Sequence, residues 1–236
     1  MSEAGVPEVD ALIFDVFGTL VDWRGSIARE APALIGREID GLAFADAWRA
    51  EYQPGMEGIR SGGRGYVRLD ILHRENLGRI LPRFGLEDLT DETLAALNLL
   101  WHRLDAWPDV EFGLSRLRRR YRLAPCSNGN ISLMVDLARH NDFVWDAILG
   151  AEIARDYKPK PGVYLAAAEA FGLAPERVMM VAAHSSDLEA AAACGLRTAH
   201  IARPDEYGPG TGESEPLVPV DVAVSSLTDL ALRLAT

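Results

Sequence analysis

Short apolar runs punctuate the chain at LIF (12–14), RLAPC (122–126), VMMVA (178–182), RTAHIA (197–202) and DVAVSS (221–226). Their length and their polar or turn-forming borders predict strands. Helical periodicities separate the last four. Residues 131–139 carry apolar side chains at 131, 133, 134, 137 and 138; residues 162–171 repeat Val163, Leu165, Ala166 and Ala170; residues 187–194 are alanine-rich. Strand and helix in alternation predict right-handed crossovers and a parallel sheet covered by helices on both faces.

From Trp23 to about Trp107 the rhythm breaks. No strand pattern is visible there, only amphipathic helical segments near 26–35, 42–53, 66–81 and 91–104. So long a helical stretch between the first two strands reads as an inserted domain rather than a loop. SGGRG (61–65) reads as a surface turn inside it, and PDEYGPGTGESEPLVP (204–219) as a long exposed loop before the final strand. The expected organisation is an α/β Rossmann-like parallel-sheet core over 1–20 and 105–236, with an all-helical cap over 21–104.

Composition narrows the function classes only at their edges. The chain has 236 residues, 48% of them hydrophobic and 25% charged, as in ordinary globular proteins. A net charge of -11 argues against non-specific nucleic-acid binding. No apolar run approaches the roughly 20 residues a membrane span needs. The N-terminal MSEAGVPEVD lacks the basic and apolar regions of a signal peptide, so a cytoplasmic location is expected. Cys126 and Cys194 match no metal or redox spacing and read as fillers of small buried volumes.

In open parallel sheets, ligands sit beyond the carboxyl ends of the strands. The residues there are Asp15; Ser127, Asn128 and Gly129; Lys158, in YKPKPGVY; and Asp187, just past Ala182, Ala183 and His184. The Gly18-Thr19 turn after Asp15 lets the backbone bend away and leaves the acid at a strand tip, with nearby N–H groups free. Taken singly, Asp15 also reads as a helix cap and Lys158 as a solvated charge. Convergence of all four on one edge favours chemistry.

FDVFGTLVD (14–22), CSNG (126–129), YKPKPGVY (157–164) and Asp187 with its alanine-rich helix resemble the haloacid dehalogenase superfamily over essentially the whole chain. The resemblance implies that Asp15 is a covalent nucleophile, that Ser127 holds the anionic group of the substrate, and that Lys158 orients Asp15. A neighbouring cation keeps a desolvated carboxylate ionised.

Most members of that superfamily are magnesium-dependent phosphatases with a second aspartate two residues after the nucleophile. Here that position is Phe17, and the acid expected four residues before Asp187 is Ala183. Magnesium prefers near-octahedral oxygen ligation, and phosphoryl transfer needs a protonated leaving group. A halide needs neither. The first motif and SNG resemble the L-2-haloacid dehalogenase branch, which implies a small 2-haloacid substrate, no metal or other cofactor, and a homodimer.

Within that branch Arg49 is expected to bind the halide or the substrate carboxylate, with Asn128. Phe17 desolvates the nucleophile and packs the haloalkyl group. Trp23 reads either as a halide-pocket wall or as hinge packing, and Tyr164 as a site donor or a packing residue. Asp187, through His184, is the expected handler of the hydrolytic water. The alternatives are a magnesium-dependent phosphatase of a small metabolite and a non-catalytic binder.

Overall fold

A computed structural model describes residues 7–234; residues 1–6, and with them most of the acidic N-terminal stretch read above, lie outside it, as do 235–236. Strand β1 (Ala11–Phe14) leads into the short β2 (Val21–Asp22). Five helices follow: α1 (Trp23–Ile35), α2 (Gly41–Ala50), α3 (Tyr52–Arg60), α4 (Leu69–Ile80) and α5 (Asp91–Asn98). Side chains start three of them, since Asp22 accepts from Gly25 N–H, Asp40 from Ala43 N–H and Thr90 from Thr93 N–H. The segment expected to be one helix over 42–53 is two, α2 and α3, with Glu51 between them.

The chain returns through β3 (Asp105–Ala106), which pairs antiparallel with β2. This two-strand ribbon, flanking the helical stretch, carries no run long enough to register as a strand in the sequence. Then come α6 (Val110–Leu117), β4 (Arg122–Ser127), α7 (Ile131–His140), β5 (Leu149–Gly150), α8 (Ala151–Ala154) and α9 (Pro161–Ala170). The C-terminal part is β6 (Val178–Ala182), α10 (Ser185–Ala193), β7 (Arg197–Ile201), β8 (Val222–Val224) and α11 (Leu227–Leu234).

Six strands form one parallel sheet in the order β5-β4-β1-β6-β7-β8. The order reverses at β1, which lies between β4 and β6, so the crevice beyond Phe14 is the topological switch point. Alternate residues face opposite ways. Leu12, Phe14, Leu123, Met179 and Val181 join one apolar cluster, which continues into Phe44, Trp48 and Trp101 of the helical insertion. Ala11, Ile13, Ala124, Val178 and Met180 join the other. Cys126 is buried in the second cluster, as expected, but Cys194 is only half-buried at its margin.

One polar bond set ties the helical insertion to the sheet-bearing part. His102 lies with its Nδ1 2.7 Å from Asp136 on α7 and its Nε2 3.0 Å from Asp70 on α4, while Asn130 Nδ2 donates to Asp70 at 2.8 Å. Burial disfavours the His102 cation, but bonds to the two carboxylates outweigh it and raise its pKa above the ordinary value. Its stabilisation is therefore present below the unfolded value, near pH 6.5, and is lost as pH rises through the folded value. His102→Asn should cost on the order of 1 kcal/mol, or about 2–4 °C of Tm, at roughly pH 6 and less at roughly pH 9. Equal losses by calorimetry at both would refute a charged latch.

Candidate active site

β1 delivers Asp15 to the switch point, its N–H paired with Val181 O at 3.0 Å. Thr19 Oγ1 donates to Asp15 Oδ2 at 2.7 Å and itself accepts from Ala183 N–H at 2.9 Å. The turn between them needs Gly18, whose φ of 85° suits a residue without a Cβ. The Gly18 N–H bonds Val21 O at 3.1 Å and the Leu20 and Val21 N–H groups bond Val16 O, which closes the turn.

Lys158 stands between two carboxylates. Its Nζ lies 2.8 Å from Asp15 Oδ1 and 2.5 Å from Asp187 Oδ2, and Tyr164 OH donates to Asp187 Oδ1 at 2.5 Å. The Lys158 backbone N–H donates to Asn128 Oδ1 at 2.9 Å, which joins the loop after β4 to the start of α9. Burial opposes charge on Asp15, but Lys158 and His184 together hold its carboxyl well below the usual range. Burial pushes Asp187 upward despite the same lysine. Burial also opposes the Lys158 cation, but the paired carboxylates hold its pKa above the ordinary lysine value.

His184 is joined to Glu206 rather than to Asp187. Its Nδ1 lies 3.1 Å from Asp15 Oδ2 and its Nε2 2.8 Å from Glu206 Oε2. Burial disfavours the imidazolium, yet these two carboxylates raise its pKa to about 10. Glu206 comes from the segment 204–219 that the sequence presents as an exposed loop, and it is 2% exposed. The loop folds inward at this acid because Trp23 Nε1 donates to Oε1 at 3.0 Å while His184 takes the other oxygen.

Asp15, Phe17, Arg49, Asn128, Lys158, His184 and Asp187 share the wall of one cavity of about 440 Å³. Trp23 lines an adjoining hollow of about 400 Å³ with Arg49, Tyr52 and Tyr207. Ser127 and Tyr164 are fully buried, and Ser127 Oγ accepts from Gly129 N–H at 3.0 Å, holding the turn. Phe17 meets Tyr52, His73 and Trp101 edge-on, with centroids 6.3, 6.2 and 5.7 Å away. Arg49 lies 4.0 Å above the Tyr52 ring, and its buried Nη1 has no hydrogen-bond partner among the described residues. A buried guanidinium with a free donor, facing a cavity, is a receptor for an anion.

Several wall residues escape sequence reading. Tyr52, Gln53 and Arg60 come from α3, and Tyr207 and Glu213 from the late loop. Glu206 had one available signal, since it follows the carboxyl end of β7 as Asp187 follows that of β6. Among the described residues no group of three or more His, Cys, Asp or Glu side chains is arranged to hold a metal ion, and no helix is long and apolar enough to cross a membrane.

The fold has close counterparts among solved structures. The fold superposes on the defluorinating L-2-haloacid dehalogenase Rha0230 with a TM-score of 0.93 at 46% identity, covering 97% of this chain and 96% of that one. The L-2-haloacid dehalogenase PA0810 gives 0.92 at 44%, over 96% and 99%. (S)-2-haloacid dehalogenase 4A of Burkholderia cepacia is 30% identical over 95% of this chain and 94% of its own length. The model of the haloacid dehalogenase-like hydrolases matches residues 9–195. The chain belongs to the haloacid dehalogenase-like hydrolase family.

Proposed function

We propose that this protein is a hydrolytic dehalogenase that converts a short 2-haloalkanoic acid, a haloacetate or an (S)-2-haloacid, to the 2-hydroxy acid and halide. The observation that carries the reading is Phe17. An apolar ring on the cavity wall, two residues after a desolvated carboxylate, serves displacement at carbon and offers no proton to a phosphoester leaving group. The dehalogenases that resemble the chain over nearly its full length support the same choice.

In this reading residues 21–104 form a cap over the cavity, Arg49 and Asn128 divide the halide and substrate carboxylate between them, and Ser127 holds the turn that presents Asn128. Asp15 attacks C2 from behind, the C–X bond breaks, and X⁻ leaves with the bonding pair. Water then adds to the Asp15 carbonyl carbon and frees the hydroxy acid. Lys158 keeps Asp15 ionised, and Trp23 and Tyr164 fix Glu206 and Asp187. No cofactor takes part. The protein works as a cytoplasmic homodimer on this reading.

The test is halide release from chloroacetate, fluoroacetate and each enantiomer of 2-chloropropionate, with and without EDTA. The expected result is turnover of the haloacetates and the (S) enantiomer with inversion at C2, unaffected by EDTA. Phosphate release from a small phosphomonoester, abolished by EDTA and unaccompanied by any halide release, would sink the reading in favour of a phosphatase.

A further inference from the structure

The second half-reaction needs a base beside Asp15, and the acid expected to serve is already engaged. Both Asp187 oxygens are taken, one by Lys158 and one by Tyr164. His184 is differently placed. Its Nδ1 faces the carboxyl group that would carry the ester, and its Nε2 faces a second carboxylate. That carboxylate, Glu206, is buried and fixed by Trp23. It also packs so tightly on the β1 turn that a Cβ at Gly18 would fall 2.1 Å from its Oε1. The order Glu206, His184, acyl carbon is that of an oriented imidazole base.

We propose that His184 is the catalytic base for hydrolysis of the Asp15 ester, that Glu206 is its positioning residue, and that alkylation of Asp15 is what frees the base. The proposal rests on the 2-haloacid reading above. In the resting site His184 lies between two carboxylates and carries a proton on each nitrogen. Ester formation makes Asp15 neutral, so the Nδ1 proton loses the charge that held it and passes to solvent, while Nε2–H stays on Glu206. Nδ1 then takes a proton from the water that adds to the Asp15 carbonyl carbon. Collapse breaks the acyl C–O bond, the departing alkoxide takes the proton of the new carboxylic acid, and Asp15 is again a carboxylate beside a protonated His184. The single proton of the overall reaction leaves with the first half.

The other charged or titratable groups around His184 leave this sequence intact. Lys158 binds the far oxygen of Asp15, the charge of Arg49 acts on Glu206 rather than on the imidazole, Glu213 accepts from the Ser185 N–H, and burial lowers the pKa of His200 of β7.

Glu206→Gln tests the assignment in rapid-quench experiments with (S)-2-chloropropionate, following halide and the mass of the intact protein. We expect a halide burst near one equivalent, within about threefold of the wild-type rate, then ester hydrolysis slowed on the order of 10- to 100-fold, with alkylated protein accumulating. The pH limb of the hydrolysis step should move to lower pH, because the imidazolium has lost its remaining anion. His184→Gln should keep the burst and slow hydrolysis by about 10²- to 10⁴-fold. Hydrolysis at the wild-type rate in either variant, or loss of the burst in both, overturns the proposal. Absence of any halide from the wild type would instead overturn the 2-haloacid reading, and the base assignment with it.

Discussion

Asp15→Asn is expected to abolish the halide burst and to lower turnover on the order of 10⁴-fold or more. The amide matches the shape of the carboxylate, so the Thr19 bond and the strand register survive, and the loss is chemical rather than structural. Electrostatics sharpens the expectation. Asp15, Asp187 and Glu206 face Lys158, His184 and Arg49, three carboxylates against three cations. Neutralising position 15 withdraws one anion from both Lys158 and His184, and the His184 pKa should fall from about 10. Hydrolysis in oxygen-18 water complements the variant. With enzyme in excess, a single turnover should place label in the Asp15 carboxyl and leave the product unlabelled. Label in the first product molecule, or halide release by Asp15→Asn within about tenfold of wild type, would mean that water attacks carbon directly.

Lys158→Met should be the most destabilising change in the site. Lys158 is buried and is the cation between Asp15 and Asp187. Removing one member of a buried ion set leaves uncompensated charge, at about 3–5 kcal/mol, or roughly 10 °C of Tm in a chain of this size. The sign with pH follows from the carboxylates. With lysine present, Asp15 is held well below its ordinary value, so its stabilisation persists from alkaline pH down through the unfolded value near 3.9. Without it, both carboxylates shift upward and the variant regains stability as they protonate. The Tm gap should be widest near about pH 8 and narrower near about pH 5. A gap that stays constant, or one under about 1 kcal/mol, would show that the lysine is not what allows the two acids to coexist. Turnover should fall with stability, since a protonated Asp15 does not attack.

What could be read without coordinates divides along a physical line. Strand tips are one-dimensional features. A run such as ALIFD fixes both the strand and the residue at its end, so Asp15, Asn128 and Asp187 were reachable from order alone and Lys158 from its place in YKPKPGVY, and one cavity collects them. Phe17 was reachable because its neighbour gives it meaning. Side chains brought in by packing were not. Tyr52 reaches the cavity because α3 turns at Glu51, a break that the 42–53 periodicity hides. Glu206 is buried because two long-range bonds, to Trp23 and His184, hold it inside a segment whose composition reads as solvent-exposed. β5 was invisible for another reason: two residues carry no periodicity. Yet Gly150 is required there, since a Cβ would meet Ser127 O at 2.3 Å.

The contact between Gly18 and Glu206 makes two distant positions a single unit of sequence change. No side chain can be added at 18 while the acid remains at 206, because the space a Cβ needs is already occupied by its carboxylate. Shortening 206 alone would leave His184 and Trp23 with unpaired nitrogens. Laboratory evolution of this protein toward other substrates should therefore accept a side chain at 18 only together with a shorter one at 206. Libraries aimed at reshaping the pocket gain more by varying the α3 wall, at Tyr52 and Gln53, which line the cavity away from this pair.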